Sequence, residues 1–250
     1  MKRDKLITFL NNYLKANEIK DSSQNGLQVE GKDEIKKILF GVSYSSKLVE
    51  KAIQEKAEMI ILHHGILWNK PIRICGIFKK RVEPLIKNEI NLAAYHLPLD
   101  IHPKIGNNIS ILKIFNIKHF ENFGDYNGIK IGFIGKLPKK ISLEEIANKI
   151  KKEINKNAIF INYGKKLIEK IAVVSGGGTN FFEEAVIKGA DIFITGEGDE
   201  KAYELAREYR SNFVSAGHYR TEVFGIKELS KIISKKFKIK TLFIETNNPF

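Results

Sequence analysis

Residues 170–198, KIAVVSGGGTNFFEEAVIKGADIFITGEG, lie without a gap on residues 37–65, KILFGVSYSSKLVEKAIQEKAEMIILHHG. Every pair is separated by one offset of 133 residues, so that Lys170 falls on Lys37, Ile171 on Ile38, Glu183 on Glu50 and Ala185 on Ala52. Glu197 falls opposite His64. Each copy reads as a strand, then a segment of helical spacing, then a second strand; in the first copy these are 35–42, 45–57 and 58–62. That rhythm implies parallel strands joined by right-handed crossovers. A second echo follows, FVSAGHYRTE (213–222) on NLAAYHLPLD (91–100), which places His218-x3-Glu222 on His96-x3-Asp100. The expected fold is α/β: two similar, interlinked α/β halves built from βαβ units. Ligands of such sheets bind beyond the C-terminal strand ends, so the site is expected in the cleft between the halves.

The loop-like stretch KHFENFGDYNG (118–128) suggests a boundary. The first half, 1–125, would carry the His-His and His-x3-Asp motifs. The second, 126–250, would carry the Gly-rich turn and His-x3-Glu. The C-terminal TLFIETNNPF predicts one more strand, packed on either half. SLEE at 142–145 is a capping box that starts a helix. The opening MKRDKLITFLNNYLKANEIKD reads as an amphipathic helix and not as a secretory signal.

At 250 residues, 43% apolar and 28% charged, the chain has the composition of a globular protein with a sizeable core. No apolar run approaches the length that spans a bilayer. The single cysteine, Cys75, excludes an intrachain disulfide and every multi-cysteine metal motif. This fits a cytoplasmic protein, with Cys75 expected as a small core residue. A formal charge of +13 favours anionic partners, whether nucleotides, nucleic acid or phosphorylated metabolites. The lysines are scattered, however, and no basic run is interleaved with aromatics.

The stretch LHHG (62–65) puts two histidines at the end of an apolar strand. Neighbouring side chains on a strand point to opposite faces, so His63 and His64 can serve one centre only if the strand stops there and turns at Gly65. Five of the six histidines fall in LHHG, AYHLPLDIHP and SAGHYRTE; the sixth, His119, is expected to be exposed. His63, His64, His96, Asp100, Glu197, His218 and Glu222 thus gather at predicted strand ends. Imidazole with carboxylate, and no thiolate, suits zinc, iron, manganese or nickel. Three imidazoles and two carboxylates can hold two metals, with Glu222 the candidate bridge. On a helix His218 and Glu222 would share a face, whereas Pro98 makes His96-x3-Asp100 read as a turn. His102 is a loop residue or a partner that orients ligands. VVSGGGTNFFEEA (173–185) places glycines between a strand and a helix as a phosphate-cradling turn does, but matches neither GxGxxG nor the Walker pattern.

Taken together, DSSQNGLQVEG (21–31), IILHHGILW (60–68), YHLPLDIHPKIGNN (95–108), VVSGGG (173–178), DIFITGE (191–197) and AGHYRTE (216–222) resemble the GTP cyclohydrolase I type 2 homologues, or Nif-three-like dinuclear-metal proteins. The resemblance covers nearly the whole chain. It implies a toroidal homohexamer with a two-metal site facing the central cavity. His63, His64, Asp100, His218 and Glu222 correspond to the five ligands, and His96 and Glu197 to neighbours that orient them or move protons. Relatives often carry an acid after the first strand, where this chain has Ser43, so no role resting on that acid carries over. The function implied is a dinuclear-metal hydrolase acting with metal-activated water on a nucleotide-like or other anionic substrate. For GTP, water would attack the purine C8, open the imidazole ring and release formate. The alternatives are a ring that binds nucleic acid with a structural or regulatory metal pair, and a metal-handling protein.

Overall fold

The computed structural model describes residues 1–250, and the chain divides into two units, each with its own sheet. The first comprises Met1–Leu99 with Gly225–Asn247. Its helices are α1 (Arg3–Leu14), α2 (Ser46–Gln54), α3 (Gly76–Lys87) and most of α4 (Leu97–Asp100). Its strands are β1 (Gly26–Val29), β2 (Lys37–Ser43), β3 (Met59–His64) and β4 (Asn91–Ala94), joined by β11 (Lys240–Phe243) from the C-terminal end. The sheet order is β1-β4-β3-β2-β11, parallel except for β1. Leu6, Leu10 and Leu14 recur every four residues on α1 and are all buried, each contributing about 1.5–3 kcal/mol.

The second unit is Asp100–Phe224 with Asn248–Phe250. It holds α5 (Asn107–Ile114), β5 (Phe120–Tyr126), β6 (Ile129–Ser142), α6 (Leu143–Glu153), β7 (Ile159–Asn162) and β8 (Leu167–Val174). After a 3-10 turn at Thr179–Phe181 come α7 (Phe182–Ile187), β9 (Ile192–Thr195), α8 (Glu200–Glu208) and β10 (Asn212–Ser215). Its sheet runs β5-β6-β8-β9-β10-β7, with β8, β9 and β10 parallel. Ser142 caps α6 as expected, its hydroxyl accepting from Glu145 N. Ile111, Leu112, Ile146, Ile150, Ile171 and Ile192 form one apolar core. The division falls at 99/100 and not near 125: α5 packs into this core, and β5 pairs with β6. Helix α9 (His218–Phe237) starts in this unit and ends in the first.

The sequence repeat reappears as a hydrogen-bond network. In the first unit Asn91 Oδ1 accepts from Gly31 N, while its Nδ2 donates to the carbonyls of Lys32 and Glu58. In the second unit Asn212 Oδ1 accepts from Gly164 N, and its Nδ2 donates to Lys165 O and Asp191 O. Glu58 Oε2 accepts from the amides of Lys36 and Lys37; Asp191 Oδ2 does so from Glu169 and Lys170. Lys37 Nζ reaches Glu55 O, and Lys170 Nζ reaches Lys188 O. All of these except the asparagines stand 133 apart. The asparagines stand 121 apart, whereas His96 and His218 stand 122 apart. The extra residue lies between the end of β10 and His218, where Gly217 adopts φ +92°, a conformation that favours glycine.

Two further expectations change. Cys75 is exposed, in a segment where Ile72, Ile74 and Ile77 are exposed too. Residues 97–100 form a helical turn despite Pro98, because a proline in the first turn displaces no helical hydrogen bond. The asparagine clamp yields a prediction. Both Asn91 and Asn212 are fully buried, so Asn91→Ala strands the Gly31 amide and the Lys32 carbonyl, while Glu58 O keeps the backbone amide of residue 91. We expect a loss of roughly 2–3 kcal/mol, read as a lower urea midpoint; an unchanged midpoint would show the clamp to be dispensable.

Candidate metal centre

Strand β3 does not stop before the histidine pair; both residues lie within it, and Ser43 pairs with His64 across the ladder. Hydrogen bonds to the two flanking strand ends bring the rings together. His63 Nδ1 stands 3.0 Å from Tyr95 O, just beyond β4, and His64 Nδ1 stands 3.0 Å from Ser43 Oγ on β2. The ring centroids are then 4.5 Å apart at 45°. Gly65 is required for space: a Cβ there would lie 2.2 Å from Gln28 Oε1 and 2.6 Å from Ala94 Cβ. That Gln28 oxygen accepts from Ile66 N and Leu67 N, fixing the turn after the pair.

His96 completes the group. Its ring lies 5.2 Å from that of His63 and 5.4 Å from that of His64. The three offer ligand atoms all within 4.8 Å of one another, a grouping that could hold a metal ion. His96 Nδ1 lies 2.8 Å from Asp21 Oδ1. Asp21 also accepts from Ser23 N, Asn25 Nδ2 and Leu97 N. Burial pushes the Asp21 carboxyl up, but His96, with Asn25 and Ser23, outweighs it and holds the group at about 2. The carbonyl of Tyr95 and the carboxylate of Asp21 can only accept. Nδ1 of His63 and of His96 therefore carries the proton, and in the neutral ring Nε2 carries the lone pair. This is the arrangement metal-ligating histidines show.

In the second unit His218 opens α9 and Glu222 follows one turn later, on the same face as expected. His218 Nε2 lies 3.1 Å from Glu222 Oε1, and its Nδ1 lies 2.6 Å from Glu197 Oε1, just past β9. Burial pulls the His218 pKa down, but Glu222 first and Glu197 second more than reverse this, raising it to about 9. Asp100 Oδ1 accepts from Asn107 Nδ2 and Ser175 Oγ, both at 2.8 Å, which fixes the plane of the carboxylate. Asp100 is 6% exposed and Glu222 2%. Carboxylates this buried are costly unless paired or bound to a metal.

The Gly-rich turn serves this pair. Gly176 has φ +65°, and a Cβ there would fall 2.3 Å from Glu222 Oε1. The turn's amides are committed internally: Ser175 N to Asn108, Gly176 N to Thr221 Oγ1 and Gly178 N to Thr195 Oγ1. That leaves little of a phosphate cradle. His102 is a loop residue whose Nδ1 accepts from Lys104 N and Ile105 N, and His119 is exposed. Asp21 is the residue hardest to foresee. Its signal is an acid followed by Ser and Asn, the composition of a side-chain-stabilised turn. Ser43 holds His64 with its hydroxyl.

Two outcomes follow from this geometry. Trp68, the single tryptophan, lies 5.2 Å from the His96 ring and 6.1 Å from that of His64. Nickel added to metal-free protein should quench its fluorescence saturably, and the His63→Ala/His64→Ala variant should lose that response. Equal quenching in the variant would mean the cluster does not bind the ion. In metal-free protein, the NMR signal of His218 should titrate near pH 9. Glu222→Gln removes the leading upward influence, so the midpoint should fall by about a unit or more. An unmoved midpoint would mean Glu222 does not set it.

The Duf34/NIF3 (NGG1p interacting factor 3) family model matches residues 1–249. The chain is 43% identical over 249 residues to the GTP cyclohydrolase 1 type 2 homolog of Pyrococcus horikoshii, covering 98% of each chain. Its counterpart in Pyrococcus abyssi is 41% identical over 247 residues, again with 98% of each covered. A crystal structure of a protein from Thermus thermophilus superposes with a TM-score of 0.91 at 32% identity, covering all of both chains. The motifs that bring the histidines to the strand ends lie within a match running from residue 1 to 249, and the chain belongs to the Duf34/NIF3 family.

Proposed function

We propose that this chain is a dinuclear-metal hydrolase of the GTP cyclohydrolase 1 type 2 homolog kind, acting on a nucleotide-like or other anionic substrate. His63, His64, Asp100, His218 and Glu222 hold two divalent ions of zinc, iron, manganese or nickel. The observation that carries this reading is the set of histidines whose Nδ1 atoms are engaged by oxygens of Tyr95, Ser43, Asp21 and Glu197. That pattern is typical of rings that present Nε2 to a metal. When bound, the ions supply Lewis acidity and an activated water.

The chain's own groups have defined tasks in this proposal. Glu197 keeps the proton on His218 Nδ1, and Asp21 does so for His96. Ser175 and Asn107 hold Asp100 in one orientation. Glu197, with its side chain 58% exposed, is the group best able to pass a proton to or from a bound substrate. The chain works in the cytoplasm as a homohexamer, with Ile72, Ile74 and Ile77 among the residues that subunit contacts would cover. No helix is long and apolar enough to cross a membrane.

The test is formate release from GTP by metal-reconstituted protein, with metal content and oligomeric mass measured on the same samples. Formate is expected from the wild type, with Glu222→Ala reduced about a hundredfold or more. No formate from fully metallated, assembled protein would exclude GTP as the substrate. The +13 charge supports a second reading, a nucleic-acid-binding ring. In that case affinity would fall steeply with salt and survive Glu222→Ala.

A further inference from the structure

At the end of the first unit's sheet opposite the histidines lies a cavity of about 510 Å³. β2 separates the two places, running from Lys37 at the cavity to Ser43 beside His64, a rise of about 20 Å. Lys36, Lys56, Lys238 and Lys240 line this cavity, and none of the four makes an ion pair. The two acids beside them are committed. Glu58 accepts the amides of Lys36 and Lys37, and Glu55 takes Lys37 and Lys51.

The second unit provides a control within the same chain. Its equivalent cavity, about 470 Å³, is lined by Glu169, Lys170, Gly189 and Asp191. These stand 133 residues from Lys36, Lys37, Lys56 and Glu58. The backbone clamp is the same in both, but the charge is not. Where the first unit has Lys36, the second has Glu169, which takes Lys136 at 2.5 Å and Lys140 at 2.8 Å. Where the first has Lys56, the second has Gly189. The second cavity therefore keeps only Lys170 outside an ion pair, its Nζ held by Lys188 O, and four such lysines around one cavity are a property of the first unit alone. Like charges so placed repel one another and are relieved by a multivalent anion.

We propose that this cavity binds closely spaced phosphate groups, carried either by a free polyphosphate or by a nucleic-acid backbone. The probes are inorganic triphosphate, followed by calorimetry, and a labelled single-stranded oligonucleotide, followed by anisotropy. The test variant is Lys36→Glu/Lys238→Glu. The control is Lys139→Glu/Lys156→Glu, which changes net charge equally at exposed lysines of the other unit. Triphosphate should bind the wild type and the control within about twofold of each other, and the test variant about tenfold or more weakly. Oligonucleotide binding that shows the same loss, and is displaced by triphosphate, assigns the site to a nucleic-acid backbone. Triphosphate binding alone assigns it to a free polyphosphate. The proposal is overturned if the wild type binds neither probe. It is equally overturned if test and control variants lose affinity alike, or if the test variant binds as the wild type does, which would locate the anion elsewhere.

Discussion

A single buried side-chain amide holds each half of this protein in register. Asn91 and Asn212 each tie a glycine amide, a lysine carbonyl and the residue just before a parallel strand into one knot. A parallel strand slipped by one residue turns every side chain to the other face. Residues at the far strand ends can be placed only if the near ends are fixed. The acids Glu58 and Asp191 add to the knot by accepting two consecutive amides where the preceding strand begins. His63, His64 and Glu197 then fall at the opposite ends as a matter of strand length.

The histidine-bearing strand ends depend in the same way on well-placed oxygen atoms. A ring that lies at a strand end can rotate, and rotation would scatter its ligand atom. Here each of four imidazoles is stopped by an oxygen: a main-chain carbonyl for His63, a hydroxyl for His64 and carboxylates for His96 and His218. The glycines complete the arrangement by leaving room. Gly176 admits Glu222, and Gly65 admits Gln28. A methyl at either place would collide with the groups that position the site.

The two units resemble each other at their quiet ends and differ where charge is concerned. The clamp survives in both copies, since losing it would leave buried polar groups unmet. Free of that constraint, the cavity residues differ, Lys36 and Lys56 in one copy standing where Glu169 and Gly189 stand in the other. The strand-end residues differ as well, so that His64 in one copy is matched by Glu197 in the next.

The ungapped repeat made the βαβ units, their parallel strands and the α/β class legible, because hydrophobic periodicity reports which face of each element is buried. The placing of His63 and His64 at the end of β3, and of Glu222 one turn after His218, was legible from strand length and helical spacing. Tertiary structure decided what depends on residues distant in the chain. Asp21 meets His96 across 75 positions, and Ser175 meets Asp100 across the same span; no local period encodes either contact. The division at 99/100, the return of β11 to β2 and the exposure of Cys75 were decided in the same way, by which apolar face covers which. Sequence determined what each segment must bury. Only the folded chain determined which side chains stand beside each other once it is buried.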